Sequence, residues 1–212
     1  MAIKLGENPW ILIGLMFLEL FFIILPGFIS SKIEKKPFKV IVIEMGFQKT
    51  DSLFIKITAG IGIGILFFFF GNYLIIFFRD FIVSNIFGDQ FVAQGQDGVI
   101  STTPIQPNLI QTVILVLLQI IIIGPCEEAF FRGFLTKKIN EKLKLLYSIV
   151  IPSIVFTLYH IPPFLVPVNT VITFFGYYFV FGILLSLVFV YFKSIIPCMI
   201  AHSTFNIFIL LL

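Results

Sequence analysis

Charged residues are scarce in this 212-residue chain: Asp, Glu, Lys and Arg together make up 12% of it, whereas hydrophobic residues make up 59%. The mean hydropathy is +1.11. Soluble globular domains carry roughly a quarter of their residues as charged ones, so this composition excludes an ordinary soluble domain and indicates an integral membrane protein. Membrane lipids are therefore the expected surroundings, and nucleic acid is not an expected partner.

Cysteines, cleavage signals and linkers are also rare or missing. The two cysteines, Cys126 and Cys198, both fall inside apolar runs, which excludes a disulfide-stapled secreted fold. No Ala-x-Ala pattern follows the first apolar run, so we expect that run to be retained as a helix rather than cleaved as a signal peptide. No Ser/Gly-rich or charged linker divides the chain and no repeat of fixed period is present, so we expect a single membrane domain.

What the chain does have is long apolar runs. A helix needs about 20 apolar residues to cross the hydrocarbon core, and the runs are continuous instead of alternating, which excludes a β-barrel pattern. We therefore predict an all-α fold, a polytopic membrane helix bundle with about six transmembrane spans around a polar intramembrane cavity. The predicted spans are residues 10–29, 53–78, 109–139, 145–161, 168–192 and 194–212.

The charges between these runs are unevenly distributed. Segments 29–52 and 134–147 are rich in lysine, whereas segment 79–107 carries one arginine against three aspartates. By the positive-inside rule the lysine-rich segments face the cytoplasm, and six spans then leave both termini outside. We expect a multi-pass protein of the cell membrane. The polar segment 85–107, with its glycines, prolines and glutamines, is predicted to be an exposed loop.

One motif breaks the apolar pattern: GPCEEAFFRG, residues 124–133, directly follows the run ILVLLQIIII. A charged residue in the middle of a spanning helix costs about 2.5 to 3.5 kcal/mol on the insertion scale. Glu127, Glu128 and Arg132 must therefore face other helices or a water-filled cavity, and ionisable groups in such positions are candidates for function.

Helix geometry separates the roles of these three residues. Glu128 and Arg132 are four residues apart and share a helix face, which predicts an ion pair between them. Glu127 is rotated by about 100° from Glu128 and points elsewhere. A carboxylate with no cation of its own in a partly dry site is a candidate general base near neutral pH.

The two histidines of the chain lie in later spans. His160 ends the stretch FTLYH and His202 begins HSTFN, with Asn206 one helical turn further on the same face. Glu127, His160 and His202 satisfy the ligand count of a zinc site that keeps water in its fourth position. Equally, Glu127 could activate water without a metal, with His202 and Asn206 donating hydrogen bonds to an oxyanion. The residues leave both chemistries open, so a divalent metal such as zinc is one possibility and no cofactor is the other.

Three motifs in this order resemble those of a known family. EEAFFR at 127–132 resembles its Glu-Glu-x-x-x-Arg motif, FTLYH at 156–160 its Phe-x-x-x-His motif, and HSTFN at 202–206 its His-x-x-x-Asn motif. The family is the type II CAAX prenyl endopeptidases and bacteriocin-processing enzymes, also called the CPBP or ABI family of intramembrane proteases. The resemblance covers roughly residues 109–212, so we expect a catalytic core there and a variable part in residues 1–108.

The resemblance implies an intramembrane endopeptidase, a hydrolase that cuts a peptide bond near the C-terminus of a membrane-anchored protein or peptide, prenylated or not. It implies a water-filled cavity open to the cytosolic side. Carried over to this chain, Glu127 activates water with the help of His160, His202 and Asn206 hold the carbonyl oxygen, and Glu128 and Arg132 give support. The family is often labelled metalloendopeptidase, and a metal-free glutamate mechanism is also argued for it. Some single-domain relatives are associated with bacteriocin self-immunity.

Other interpretations remain open at this point. Cys126 could be a nucleophile, although the two adjacent carboxylates disfavour a thiolate. Buried Glu and His residues also occur in proton-coupled transporters, and a non-enzymatic immunity protein could keep the same motifs. Glu19, within the first span, is expected to be a protonated or paired packing residue rather than part of a site.

Overall fold

A computed structural model describes residues 4–212, and in that range the chain is helical with one isolated β-bridge, between Lys4 and Ser101. The all-α prediction is therefore confirmed. The helices are α1 Pro9–Glu34, α2 Phe38–Val42, α3 Leu53–Phe87, α4 Asp89–Asp97, α5 Leu109–Asn140, α6 Leu145–His160, α7 Val168–Phe192 and α8 Ile196–Leu211.

Six of these helices are the apolar ones that the sequence predicts. Helices α1, α3, α5 and α7 are long and apolar enough to cross a membrane. Helices α6 and α8 have 16 residues each, which gives a length of about 24 Å against a hydrocarbon thickness of about 30 Å. The chain is thus an integral membrane protein in which two short helices accompany four full-length ones.

Small residues set the distance between α3 and α8. A Cβ atom placed on Gly64 would lie 2.6 Å from the carbonyl oxygen of Ala201, and one placed on Gly60 would lie 2.6 Å from Cβ of Ile200. By contrast, a Cβ on Gly62 would meet nothing within 4 Å. The glycine face of α3 therefore lets α8, which carries His202, lie close to it, as close packing of small residues allows in membranes.

The lysine-rich segments meet at one end of the bundle. The Nζ atom of Lys138, near the end of α5, lies 2.8 Å from Oε1 of Glu34 at the end of α1. Lys36 is 3.0 Å from Glu44 and 3.2 Å from Glu34. These contacts place the two segments on the same side of the bundle, as the charge distribution predicts.

The prediction of an exposed loop over residues 85–107 is partly wrong, because residues 89–97 form helix α4 and pack against α7. Val92 and Gly95 are buried, and the hydroxyl of Thr170 donates a 2.8 Å hydrogen bond to the carbonyl oxygen of Gly95. A Cβ on Gly95 would lie 2.4 Å from Oγ1 of Thr173. Gly95, one of the glycines that suggested a loop, instead allows close helix packing.

Helix α5 changes its winding around the motif. The five α-helical residues Gly124–Glu128 lie between two π-helical stretches, Gln119–Ile123 and Ala129–Thr136. Pro125 lacks an N–H and cannot join a regular α-helical ladder. The carbonyl oxygen of Gln119 accepts from the N–H of Gly124 and, at 2.7 Å, from the hydroxyl of Ser203 on α8. The helix thus has a wider turn just before Gly124 and Pro125, and the carbonyl oxygen of Gln119 finds a partner on α8.

Candidate active site

The motif on α5 lies in the interior of the bundle. Glu128 and Arg132 have no exposed surface, and Glu127 is 4% exposed. Since an unpaired charge is costly to bury, the partners of each group decide whether it serves packing or chemistry.

Glu128 and Arg132 form the predicted ion pair. Nη1 of Arg132 lies 2.9 Å from Oε1 of Glu128, and Nη2 donates a 3.1 Å hydrogen bond to the carbonyl oxygen of Gly182 on α7. The guanidinium carbon also lies 4.7 Å from the ring centroid of Phe156 on α6, a cation–π distance. Arg132 therefore links three helices and fixes the Glu128 carboxylate.

Glu128 in turn orients His202. Nδ1 of His202 lies 2.8 Å from Oε1 of Glu128. A carboxylate can only accept a hydrogen bond, so Nδ1 carries a hydrogen atom and donates a hydrogen bond to Glu128. Nε2 of His202 is left facing Glu127, 3.9 Å from Oε2.

His160 reaches the same carboxylate oxygen from α6. Its Nδ1 lies 2.9 Å from the carbonyl oxygen of Phe156 and must donate to it, and its Nε2 lies 3.8 Å from Oε2 of Glu127. The His160 ring also packs against Tyr178, with centroids 5.0 Å apart. Both imidazoles thus present Nε2 to Glu127 while a partner holds the other nitrogen.

The three groups converge on one point. The ligand atoms of Glu127, His160 and His202 all lie within 4.8 Å of one another, and Oε2 of Glu127 is buried with no hydrogen-bond partner among residues 4–212. The donor set and the partners of both Nδ1 atoms fit a divalent metal such as zinc. Ligands about 2.0 to 2.1 Å from a tetrahedral zinc lie about 3.3 Å apart, so the two contacts of Glu127 with the histidines would each shorten by about half an ångström. The same orphaned oxygen can equally accept a proton from water.

Asn206, the fourth predicted catalytic residue, lies one turn along α8 and is partly buried. Its Nδ2 donates a 2.9 Å hydrogen bond to Oε1 of Gln119 on α5, which leaves its second N–H for another acceptor. The sequence reasoning assigned no role to Gln119. The available signal was an amide inside the run ILVLLQIIII, where a polar side chain needs a partner.

Glu19 on α1 is also next to the site, which the sequence did not predict. The hydroxyl of Tyr159, the residue before His160, donates to Oε1 of Glu19, while Oε2 of Glu19 is buried without a partner. The 3-10 turn that contains Glu19 contacts the α5 segment Gly124–Glu128, which carries Glu127. Its isolation as the one acidic residue inside the first apolar run was the only signal.

Cys126 is 2% exposed and packs with Leu12, Ile13 and Leu115 in an apolar cluster. A nucleophilic thiol needs access and positive surroundings. Neither is present around this residue among those that the structure describes.

A cavity of about 80 Å³ lies on the other side of His160. Apolar side chains from the segment after α4, from the turn after α6 and from α7 form most of its wall. The residues that line it are Val99, Ile100, His160, Ile161, Val166, Thr170, Phe174 and Tyr178. His160 therefore borders both the site and a small, mainly apolar space.

Residues 109–208 match the family model described as type II CAAX prenyl endopeptidase Rce1-like. The match begins where α5 begins and includes all six predicted site residues. No curated protein and no solved structure matched the chain. The family is one of proteases, and the convergence of its three motif segments agrees with that assignment. Residues 109–208, slightly less than half of this membrane protein, are therefore similar to the type II CAAX prenyl endopeptidase Rce1-like family.

Proposed function

We propose that this protein is an intramembrane endopeptidase that hydrolyses a peptide bond of a membrane-anchored substrate with water activated by Glu127. The observation that carries the proposal is the buried, unpaired Oε2 of Glu127, which lies 3.8 and 3.9 Å from Nε2 of His160 and His202. A water molecule between these atoms would have a carboxylate to take its proton and imidazole nitrogens to hold it.

The other residues act on the substrate carbonyl. As its oxygen becomes negative, a doubly protonated His202 donates from Nε2 while its Nδ1 stays on Glu128, and the free N–H of Asn206 adds a second donor. Gln119 keeps the amide nitrogen of Asn206 in place. Arg132 supports this arrangement through Glu128, so its effect on the reaction is indirect.

Glu127, His160 and His202 would also hold a divalent metal. Such a metal, when bound, would polarise the substrate carbonyl and lower the pKa of a bound water. In that case Glu128 and the Phe156 carbonyl oxygen orient the two histidines as ligands. Metal analysis of active protein, followed by chelation and readdition of zinc, distinguishes the two chemistries.

The surroundings suggest how a substrate is presented. The lysine-rich end of the bundle faces the cytoplasm of the cell membrane, and the catalytic core is the segment from α5 onward. The substrate is a protein or peptide held in the lipid by its own anchor, a prenyl group being the anchor that the family name suggests. Residues 4–108 contribute helices α1 to α4 and the segment after α4, from which Val99 and Ile100 form part of the cavity wall.

The test uses purified protein in lipid nanodiscs and an internally quenched peptide with a farnesylated cysteine four residues from its C-terminus. We expect wild-type cleavage, and its loss in Glu127→Gln, His160→Ala and His202→Ala. The matched control is Glu141→Gln, on the exposed lysine-rich end, which should cleave normally. Cleavage that survives all three site changes, or an inactive wild type, would reject the proposal in favour of a transporter or immunity role.

A further inference from the structure

Four side-chain oxygens are buried without a hydrogen-bond partner among the residues that the structure describes. They are Glu19 Oε2, Glu127 Oε2, Glu128 Oε2 and Thr173 Oγ1. A buried acceptor with no donor loses its hydration without compensation, so each such atom calls for an explanation. Three of the four belong to carboxylates at or beside the active site.

Two of the three carboxylates are already accounted for. Glu127 provides the oxygen on which water is activated, and Glu128, which has no exposed surface, is held by Arg132 and His202 through Oε1. Thr173 lies on α7 against Gly95, away from the motif on α5. Glu19 is only partly buried as a residue, so among these carboxylates it is the one outside the Glu127 and Glu128 pair that can offer an acceptor to a peptide.

Helix α1 holds Glu19 against the site. The chain winds more tightly as a 3-10 helix over Phe17–Leu20, which contains Glu19, and this stretch contacts the α5 segments Gln119–Ile123 and Gly124–Glu128. One turn later, the ring of Phe22 packs on Tyr159 at 4.8 Å between centroids. Because Tyr159 donates to Oε1 of Glu19, the carboxylate is held with Oε2 free.

A peptide substrate needs hydrogen-bond acceptors for its backbone N–H groups. Every backbone N–H that enters the membrane interior must find an acceptor, because no bulk water is present there. A peptide whose scissile carbonyl lies at Glu127 carries an N–H on each neighbouring residue. Glu19 comes from a different helix, whose 3-10 turn contacts the α5 segment that carries Glu127, so its oxygen can lie along the substrate backbone instead of at the reacting carbon.

We propose that Glu19 is a substrate-binding residue, whose Oε2 accepts a hydrogen bond from a backbone N–H of the peptide next to the scissile bond. The Tyr159 hydroxyl is its positioning partner. This inference rests on the proposed peptidase function and extends it. A bond of this kind forms in both the ground state and the transition state, so its loss raises KM and leaves kcat nearly unchanged.

The test compares Glu19→Leu, Glu19→Gln and Tyr159→Phe with wild type on the farnesylated quenched peptide. Glu19→Leu should raise KM at least tenfold, since hydrogen bonds to charged groups are strong. Glu19→Gln, which keeps one acceptor oxygen, and Tyr159→Phe should give smaller increases. Phe17→Leu, a neighbouring change at an exposed position of the same 3-10 turn, serves as the control for α1 and should leave KM unchanged.

Depsipeptides identify the bond. Replacing one non-scissile amide of the peptide by an ester removes the N–H of that amide. At the position that binds Glu19, this replacement should raise the KM of the wild-type protein. In Glu19→Leu the same ester should leave KM unchanged, because the hydrogen bond is already lost. An unchanged KM in Glu19→Leu, or a fall in kcat alone, would overturn the inference. So would equal ester effects in both proteins. Wild-type protein that cleaves nothing would instead reject the peptidase function itself.

Binding gives a readout that does not need turnover. In the Glu127→Gln background, fluorescence anisotropy of the labelled peptide in nanodiscs should show at least tenfold weaker binding when Glu19→Leu is added. Equal affinity with and without the Glu19 change would contradict the assignment even if no peptide is cut.

Discussion

Arg132→Met removes the guanidinium group that pairs with Glu128 and leaves a buried carboxylate behind. Both side chains of this pair have no exposed surface, and removing one partner of a buried ion pair costs about 3 to 5 kcal/mol. The methionine fills similar space but cannot replace the hydrogen bond to Gly182 or the contact with Phe156. We expect the unfolding free energy in detergent micelles to fall by about that amount.

A double substitution separates the orphaned charge from lost packing. Adding Glu128→Gln to Arg132→Met removes the charge while its amide oxygen can still accept from His202. The double variant should therefore cost less than the sum of the single changes, by about 0.5 to 3 kcal/mol. Arg79→Met, which breaks the more exposed pair with Asp80, should cost no more than about 1 kcal/mol. An equally small effect for Arg132→Met, or simple additivity of the two site changes, would refute the reasoning.

Three further predictions concern packing, the thiol and pH. Gly64→Ala should destabilise the protein by about 1 to 3 kcal/mol in thermal unfolding, because its Cβ would lie 2.6 Å from atoms of α8. The control Gly62→Ala has open space around its Cβ and should not destabilise the protein. Equal effects of the two changes would contradict the α3–α8 contact. Cys126→Ala should keep peptidase activity within about twofold, because no step uses the thiol; near-complete loss would revive a cysteine mechanism. The hydrogen bond from Lys56 lowers the pKa of Asp51 below its usual value. The small stabilisation from this pair is therefore present above a pH of about 4, the pKa of Asp in the unfolded chain, and is lost as the pH falls through the lower pKa of Asp51 in the folded protein. Asp51→Asn should remove that acid dependence from the unfolding curve, and an unchanged curve would argue against the pair.

Much of the fold follows from patterns local to the sequence. The apolar runs predict six helices to within a few residues at most ends, because a membrane span needs a fixed length of apolar chain. Helix α3 is the exception, since it extends to Phe87 instead of ending near residue 78. Its charged residues Arg79 and Asp80 pair with each other, which lowers the cost of continuing the helix beyond the apolar run.

The candidate site was predictable where one helix supplies both members of a contact. The spacing of Glu128 and Arg132 predicts their ion pair, and the rotation of Glu127 predicts that it points elsewhere. The convergence of His160 and His202 on Glu127 required the resemblance to a family as well, because helix periodicity does not say which faces of separate helices meet.

What the sequence could not show depends on contacts between distant helices. Glu19 lies 108 positions before Glu127, and only the packing of α1 on α5 brings them near each other. The pairing of Gln119 with Asn206 depends in the same way on α5 and α8. Helix α4 was mistaken for a loop because its glycine, Gly95, serves close packing against α7, a use that composition does not distinguish from a turn.

The catalytic role of Glu127 is the central claim, and hydrolysis of the farnesylated quenched peptide in ¹⁸O-labelled water tests it most directly. Mass spectrometry of the product should show one ¹⁸O atom in the new carboxyl group with wild-type protein. Glu127→Gln, folded and in the same nanodiscs, should form that product at least about 100-fold more slowly, the lower end of what a general base contributes. Product formation by Glu127→Gln at the wild-type rate would contradict the account.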